Sequence, residues 1–203
     1  MLADLRALWP TLSVPNLQGS LRYDVLPAVA RQYGEASATL AADWYDNQRA
    51  TLNVPGRFSA ELAPPPAEDL MRAISNWAAE PAQAETPDIE TALARTEGAA
   101  QKLVADMHRD TVIGSSERDP NAHGWGRFTE PGACSFCLML SARGGVYTSA
   151  SVRFGSHDHC HCLAGPVWSE NREEVDTYRR AARSDRQREA ANALARKWIS
   201  EHL

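Results

Sequence analysis

The sequence predicts a mainly α protein: an N-terminal helical bundle over residues 1–113, a small, loop-rich α+β knuckle region over 114–168, and a C-terminal helix or helix pair over 169–203. Three observations predict it. Apolar residues recur at steps of three and four through the first half, which is the period of amphipathic helices. Proline and glycine clusters cut that pattern into separate helical segments. All four cysteines and three of the six histidines fall between Cys134 and Cys162, after a polar, Gly-rich stretch that breaks the helical texture.

Composition narrows the class further. A chain of 203 residues with 43% hydrophobic content can build a core, and no apolar run approaches the roughly 20 residues that span a bilayer. The N-terminus MLADLRALWPTLSV has no basic n-region and no long apolar h-region, so no signal peptide is expected there. A soluble protein of a reducing compartment is expected, with no membrane partner, and there clustered cysteines bind metal more often than they form disulfides. The net charge is -5, with 7 basic and 13 acidic residues in 1–100, 6 and 6 in 101–168, and 8 and 7 in 169–203. No segment is basic enough to mark a nucleic-acid binder by charge alone.

The elements follow in order. LADLRALW is a short helix stopped by Pro10, and Ser13-Val-Pro15-Asn16 is a turn-rich link. Leu21, Val25, Val29, Tyr33, Ala36, Leu40 and Trp44 then mark one face of a long helix, kinked at Pro27 or carrying it in its first turn. A packed bundle face is the expected role of this stripe, and a partner-docking surface is the alternative. Val54-Pro55-Gly56 breaks the helix and Pro64-Pro65-Pro66 is a stiff spacer. Glu68 to Ala79 is a short amphipathic helix with Leu70, Ile74 and Trp77 on its apolar side. Thr86 is the expected N-cap of the next helix, with Pro87 at its first position, and its apolar face carries to His108. From Gly114 no helix longer than a turn is expected, and Trp125 and Phe128 are read as anchors of a loop. Ser169 caps the final segment, which restarts at Ser184. Arg179, Arg180, Arg183, Arg186 and Arg188 form its basic patch, either a solvated face or a contact for an acidic partner or DNA backbone.

The cysteine stretch carries the chemistry. Cys134-Ser-Phe-Cys137 has the two-residue gap with which one tight turn presents two thiolates to one ion, and His157-x2-Cys160 and Cys160-x-Cys162 follow within thirty residues. Zinc is the expected ion, one per chain, and the site is expected to be structural. All four cysteines (Cys134, Cys137, Cys160 and Cys162) form the simplest ligand set; His157 in place of Cys160 or Cys162 is the rival. His159 and His161 alternate with the cysteines and should point away. A catalytic zinc needs an open position and a general base. The His-x-Glu and Pro-Cys-x-x-Cys of zinc deaminases are not matched, and HEXXH and phosphate-binding glycine loops are absent. No catalytic residue is assigned, and a ββα-metal nuclease around His157, Asp158 and His159 stays as the enzymatic alternative.

These residues also carry a likeness. Gly-Ala-Cys134-Ser-Phe-Cys137-Leu-Met-Leu-Ser-Ala-Arg143-Gly-Gly-Val-Tyr147, His157-Asp-His159-Cys160-His-Cys162 and Pro166-Val-Trp168 resemble the minor capsid, or head-morphogenesis, proteins of tailed actinobacterial phages. Those are related to the family named after protein F of phage Mu (MuF-like). His157, Cys160 and Cys162 match that family's second element, with Asp158 where proline is usual and His161 where arginine is usual. Ala41-Ala-Asp43-Trp44-Tyr45-Asp46-x-x-Arg49 is similar to its helical part. The resemblance implies a virion protein held in few copies inside the capsid next to the portal, made in the host cytoplasm, and assisting head assembly, DNA packaging or ejection. Its implied partners are the portal protein or the major capsid protein, an oligomer on the portal being one arrangement, with packaged DNA as a further contact for the 179–188 arginines. Some members of the wider family are maturation proteases; no protease constellation is legible here.

Overall fold

The computed structural model describes residues 1–145, 147, 154–156, 159–168 and 193. The expected C-terminal helices, the arginines at 179, 180, 183, 186 and 188, and His157 with Asp158 lie outside the described residues.

Helix α1 (Leu2–Leu8) runs into a 3-10 turn, Trp9–Thr11, that contains Pro10. A second such turn, Val14–Asn16, leads into a continuous rod over residues 17–51. The rod comprises α2 (Leu17–Ser20), α3 (Leu26–Val29) and α4 (Glu35–Thr51), joined by π turns at Leu21–Val25 and Ala30–Gly34. Pro27 falls in the first turn of α3, directly after a π turn that has already re-phased the hydrogen-bond ladder.

The π turns also decide which face is buried. Each holds more residues than an α turn, so the buried stripe slips along the sequence. Leu21, Val25 and Val29 are buried as the periodicity predicts. After the second π turn the buried positions become Gly34, Ala38, Ala41, Ala42 and Tyr45. The expected stripe fails from Tyr33 onward: Tyr33 is only half-buried and Ala36 is exposed, and Leu40 is 68% and Trp44 39% exposed. Alanine and glycine take their place because helix backbones approach closely through small side chains. A Cβ on Gly34 would collide with the Met107 sulfur.

Helix α5 (Glu68–Ala79) has the bounds that the sequence predicts, but it is rotated about its axis. Met71, Ser75, Ala78 and Ala79 are buried, whereas Leu70 and Trp77 of the expected apolar side are exposed. Arg95 covers the Trp77 ring, its Cζ 5.0 Å from the centroid.

Helix α6 (Ile89–Arg118) is the spine, 30 residues and about 45 Å long at 1.5 Å per residue. Its N-cap is Asp88 rather than Thr86: the Asp88 carboxylate accepts the Thr91 N–H at 2.9 Å and the Thr91 hydroxyl at 2.6 Å. The helix also continues past His108 and through Gly114, crossing position 113, and ends only at Arg118. Its last turns are held by buried Thr111, Val112, Ser115 and Ser116. The Ser116 hydroxyl donates to the Val112 carbonyl at 2.8 Å, so a polar side chain is satisfied within its own helix.

Two cores lie along this spine. The first joins α1, the N-terminal half of the rod and α5 to α6 through Leu5, Leu17, Leu26, Met71, Leu103 and Met107. The second joins α4 and the end of α6 to Trp125, Phe154, Ala164 and the cysteines. Here strand β1 (Gly124–Phe128) pairs antiparallel with β2 (Leu163–Val167), with Gly126 opposite Gly165, and Tyr147 bridges to Trp125 on the other edge of β1. Residues 124–128 of the stretch expected as loop are therefore a strand. Trp125 is buried in the core as expected, but Phe128 is 57% exposed and anchors nothing there.

Asp119, at the C-cap of α6, ties these parts together. Its buried carboxylate accepts hydrogen bonds from Arg49 at 2.7 and 3.2 Å, Tyr45 at 3.1 Å, Trp168 at 3.1 Å and the Asn121 N–H at 3.0 Å. Burial works to raise its pKa, but Arg49 and the other donors hold the carboxyl below its ordinary value. Burial of the Tyr45 phenol, helped by the Asp119 charge beside it, pushes that phenol's pKa well up.

Candidate metal centre

The first half of the site is set by a tight turn. Gly132 has φ 88°, where a side chain would be strained, and the Ala133 N–H returns to the Glu130 carbonyl at 3.0 Å. Cys134 then caps helix α7 (Ser135–Ser141), and Cys137 lies in its first turn, fully buried. Residues three apart at a helix start share a face. The second half follows a left-handed residue, His159 at φ 60°. Cys160 and Cys162 lead from it into β2, and side chains two apart along an extended chain also share a face.

The two halves meet. The sulfurs of Cys137, Cys160 and Cys162 lie within 4.8 Å of one another, and all three residues are buried. The Cys137 and Cys160 sulfurs stand 3.6 Å apart, far beyond the ~2.05 Å of a disulfide, and none of the four cysteines is in a disulfide. Two sulfurs each about 2.3 Å from a tetrahedral ion would be separated by about 3.8 Å. The cluster fits such an ion. Cys134 is half-buried at its margin and hydrogen-bonds with the Cys137 thiol. His159 is exposed and its Nδ1 meets the Gln101 side-chain oxygen at 2.5 Å; His161 is exposed too. His157, the rival ligand, falls outside the described residues.

Without an ion the thiols are in conflict. Burial pushes the Cys137 and Cys162 thiols up. Burial acts the same way on Cys160, but the Cys162 N–H and the neighbouring thiols outweigh it, with help from Arg109, and bring that thiol below its ordinary value. A divalent cation held by these sulfurs would take the place of their protons.

What sequence reasoning missed is the shell around the sulfurs. Arg109 on α6 donates to the Cys162 carbonyl at 2.8 Å and the Cys160 carbonyl at 2.6 Å, and to Asp106 at 2.7 Å. Arg127 on β1 donates to the Cys137 sulfur at 3.3 Å and to the carbonyls of Phe154 and Gly155 at 2.9 and 2.8 Å. The Phe154 ring is shared by both cations, with the Arg109 and Arg127 Cζ atoms 4.8 and 3.7 Å from its centroid. Nothing in the spacing of these residues announced them.

The VG15 protein family matches residues 1–196, nearly the whole chain. The chain belongs to the VG15 protein family. The Gene 15 protein of Mycobacterium phage D29 is 31% identical over 184 residues, covering 84% of this chain and 62% of that protein. The chain thus spans less than two thirds of the length of that relative. No solved structure matches this VG15 chain. The kinship with phage proteins that the motifs implied holds at this level, and neither name states a role. Among the described residues of this VG15 protein, no helix is long and apolar enough to cross a membrane.

Proposed function

We propose that this VG15 protein is a structural component of a phage head, of the MuF-like minor capsid or head-morphogenesis type, with one structural Zn2+ ion. In this reading it is not an enzyme. It sits inside the capsid against the portal or the major capsid protein and assists head assembly, DNA packaging or ejection. Packaged DNA is a further contact, made through the 179–188 arginines.

The observation that carries the reading is the buried cysteine cluster at the junction of α6, α7 and β2. Among the described residues, the ligating groups gathered there are thiols only, and the cations beside them are arginines, which do not serve as general bases. When bound, zinc would cross-link the CxxC turn to the β2 entrance. The residues around it do the remaining work: Arg109 fastens the Cys160–Cys162 backbone to α6, and Arg127 fastens residues 154–155 to β1. Membership of a phage family and the MuF-like motif residues support the place in the head.

Mass spectrometry of purified particles, with zinc quantified on the recombinant protein, tests the proposal. A few copies per particle and one zinc per chain are expected. Cleavage of DNA or of the major capsid protein by the purified chain, lost in His157→Ala or His159→Ala with the fold intact, would replace it with an enzymatic function.

A further inference from the structure

We propose that Arg109 and Arg127 are the counter-cations of a four-thiolate site, and that their paired charge selects Cys134, Cys137, Cys160 and Cys162 over a set in which His157 replaces a cysteine. The inference rests on reading the cluster as a metal site, and goes beyond it by assigning ligands and the groups that choose them.

Charge is the argument. Arg109 and Arg127 are 1% and 4% exposed, and a guanidinium stays protonated in proteins. A buried cation demands a buried anion. Among the described residues Arg109 pairs with one carboxylate, Asp106, whose side chain is 30% exposed and is shared with Lys102. Arg127 pairs with no carboxylate among the described residues. Its Nη2 bonds two carbonyls, its Nη1 faces the Cys137 sulfur, and its Nε has no partner among the described residues. Neutral thiols leave Arg127 with no counter-charge among the described residues, and Arg109 with one carboxylate that Lys102 also claims. A divalent ion with three thiolates and a neutral imidazole carries one negative charge; with four thiolates it carries two. The second matches two buried guanidinium groups flanking one phenyl ring.

Geometry agrees with the charge. Cys134 is three residues from Cys137 at the start of α7, the spacing at which one turn presents two thiolates to one ion, and it lies at the margin of the three gathered sulfurs. Arg109 and Arg127 are therefore positioning residues: they touch the ligands and the backbone that carries them.

The decisive measurement uses the full-length protein loaded with zinc, and then with Co2+. X-ray absorption at the zinc edge should show four sulfur neighbours, and the Co2+ form should show the intense charge-transfer absorption of a tetrathiolate. His157→Ala should keep one metal per chain, and Cys134→Ser should weaken binding. Arg127→Met should weaken zinc binding by about 10- to 100-fold, the usual loss for a group behind the ligands, with Arg127→Lys recovering part of it. The same Arg127→Met change should cost less in a Cys134→His background, where one negative charge has already gone; a purely packing role would cost the same in both. Three sulfurs and one nitrogen, with metal lost in His157→Ala, overturn the inference while leaving the metal site standing. So does an Asp158→Asn variant that loosens zinc as much as Arg127→Met, since that carboxylate would then be the missing counter-anion. Absence of any bound metal in the wild-type protein overturns the underlying reading instead.

Discussion

Asp119 is a single carboxylate on which three distant stretches depend: Tyr45 and Arg49 from α4, the Arg118–Asn121 corner, and Trp168 after β2. Two of those stretches lie in motifs visible in the sequence, but Asp119 itself sits in a polar run where nothing singles it out. Its importance comes from burial, which spacing does not encode. Asp119→Asn leaves the Arg49 guanidinium buried without its anion, and loss of one partner of a buried pair costs about 3–5 kcal/mol. Urea unfolding of the variant should show that drop, and a change within 0.5 kcal/mol would mean that water compensates the site. His108 offers a pH test. Burial lowers its pKa below the ordinary 6.5 and Arg109 adds to this, against a hydrogen bond to the Ser37 backbone. The unfolded chain therefore takes up the proton first, so the neutral imidazole's contribution is complete above pH 6.5 and is lost as pH falls toward the folded value. Comparing wild type with His108→Gln at pH 7.5 and 5.5 isolates this from thiolate protonation. The variant should lose less stability on acidification.

At the scale of elements, the bounds of α5 were legible and the buried faces of the rod were not. Hydrophobic periodicity assumes 3.6 residues per turn, and the π turns at Leu21–Val25 and Ala30–Gly34 change that locally. Once the stripe has slipped, Leu40 and Trp44 face outward and Gly34, Ala38 and Ala42 face α6. Small residues carry little hydrophobic signal, so a helix contact built from them is hard to see. The same blindness ended α6 at His108, ten residues early, because Gly114, Ser115 and Ser116 look like a loop. Gly34→Leu tests the slipped register. It should clash with Met107 and cost about 1–3 kcal/mol, as overpacking does, and Met107→Ala should restore part of the loss in thermal melts. If Gly34→Leu is neutral, the rod does not meet α6 through that face.

Across the whole molecule, two cores share one spine, and their dependence on metal should differ. The first core is aliphatic and helical, and is complete among Leu5, Leu17, Leu21, Leu26, Leu103 and their neighbours. The second consists of a two-stranded sheet, a seven-residue helix and the cysteines, with Trp125 stacked on Tyr147 at 4.7 Å and on Phe154 at 5.7 Å. A two-stranded sheet is marginal alone, and apparent zinc binding energies of ~10 kcal/mol or more are available as folding energy. Chelation at neutral pH should therefore unfold the second core and spare the first. Arg109 and Arg127 sharpen the division, because losing the anionic site leaves both cations buried in that half alone. The expected record is loss of the near-ultraviolet signal of Trp125 with most helical circular dichroism retained. Hydrogen exchange should accelerate in β1, β2 and α7, while α5 and the N-terminal two thirds of α6 stay protected. Readdition of zinc should reverse both. Collapse of all helicity in one transition would instead make α6 a rigid coupling between the cores. The cysteine cluster would then hold the entire chain together, rather than one end of it.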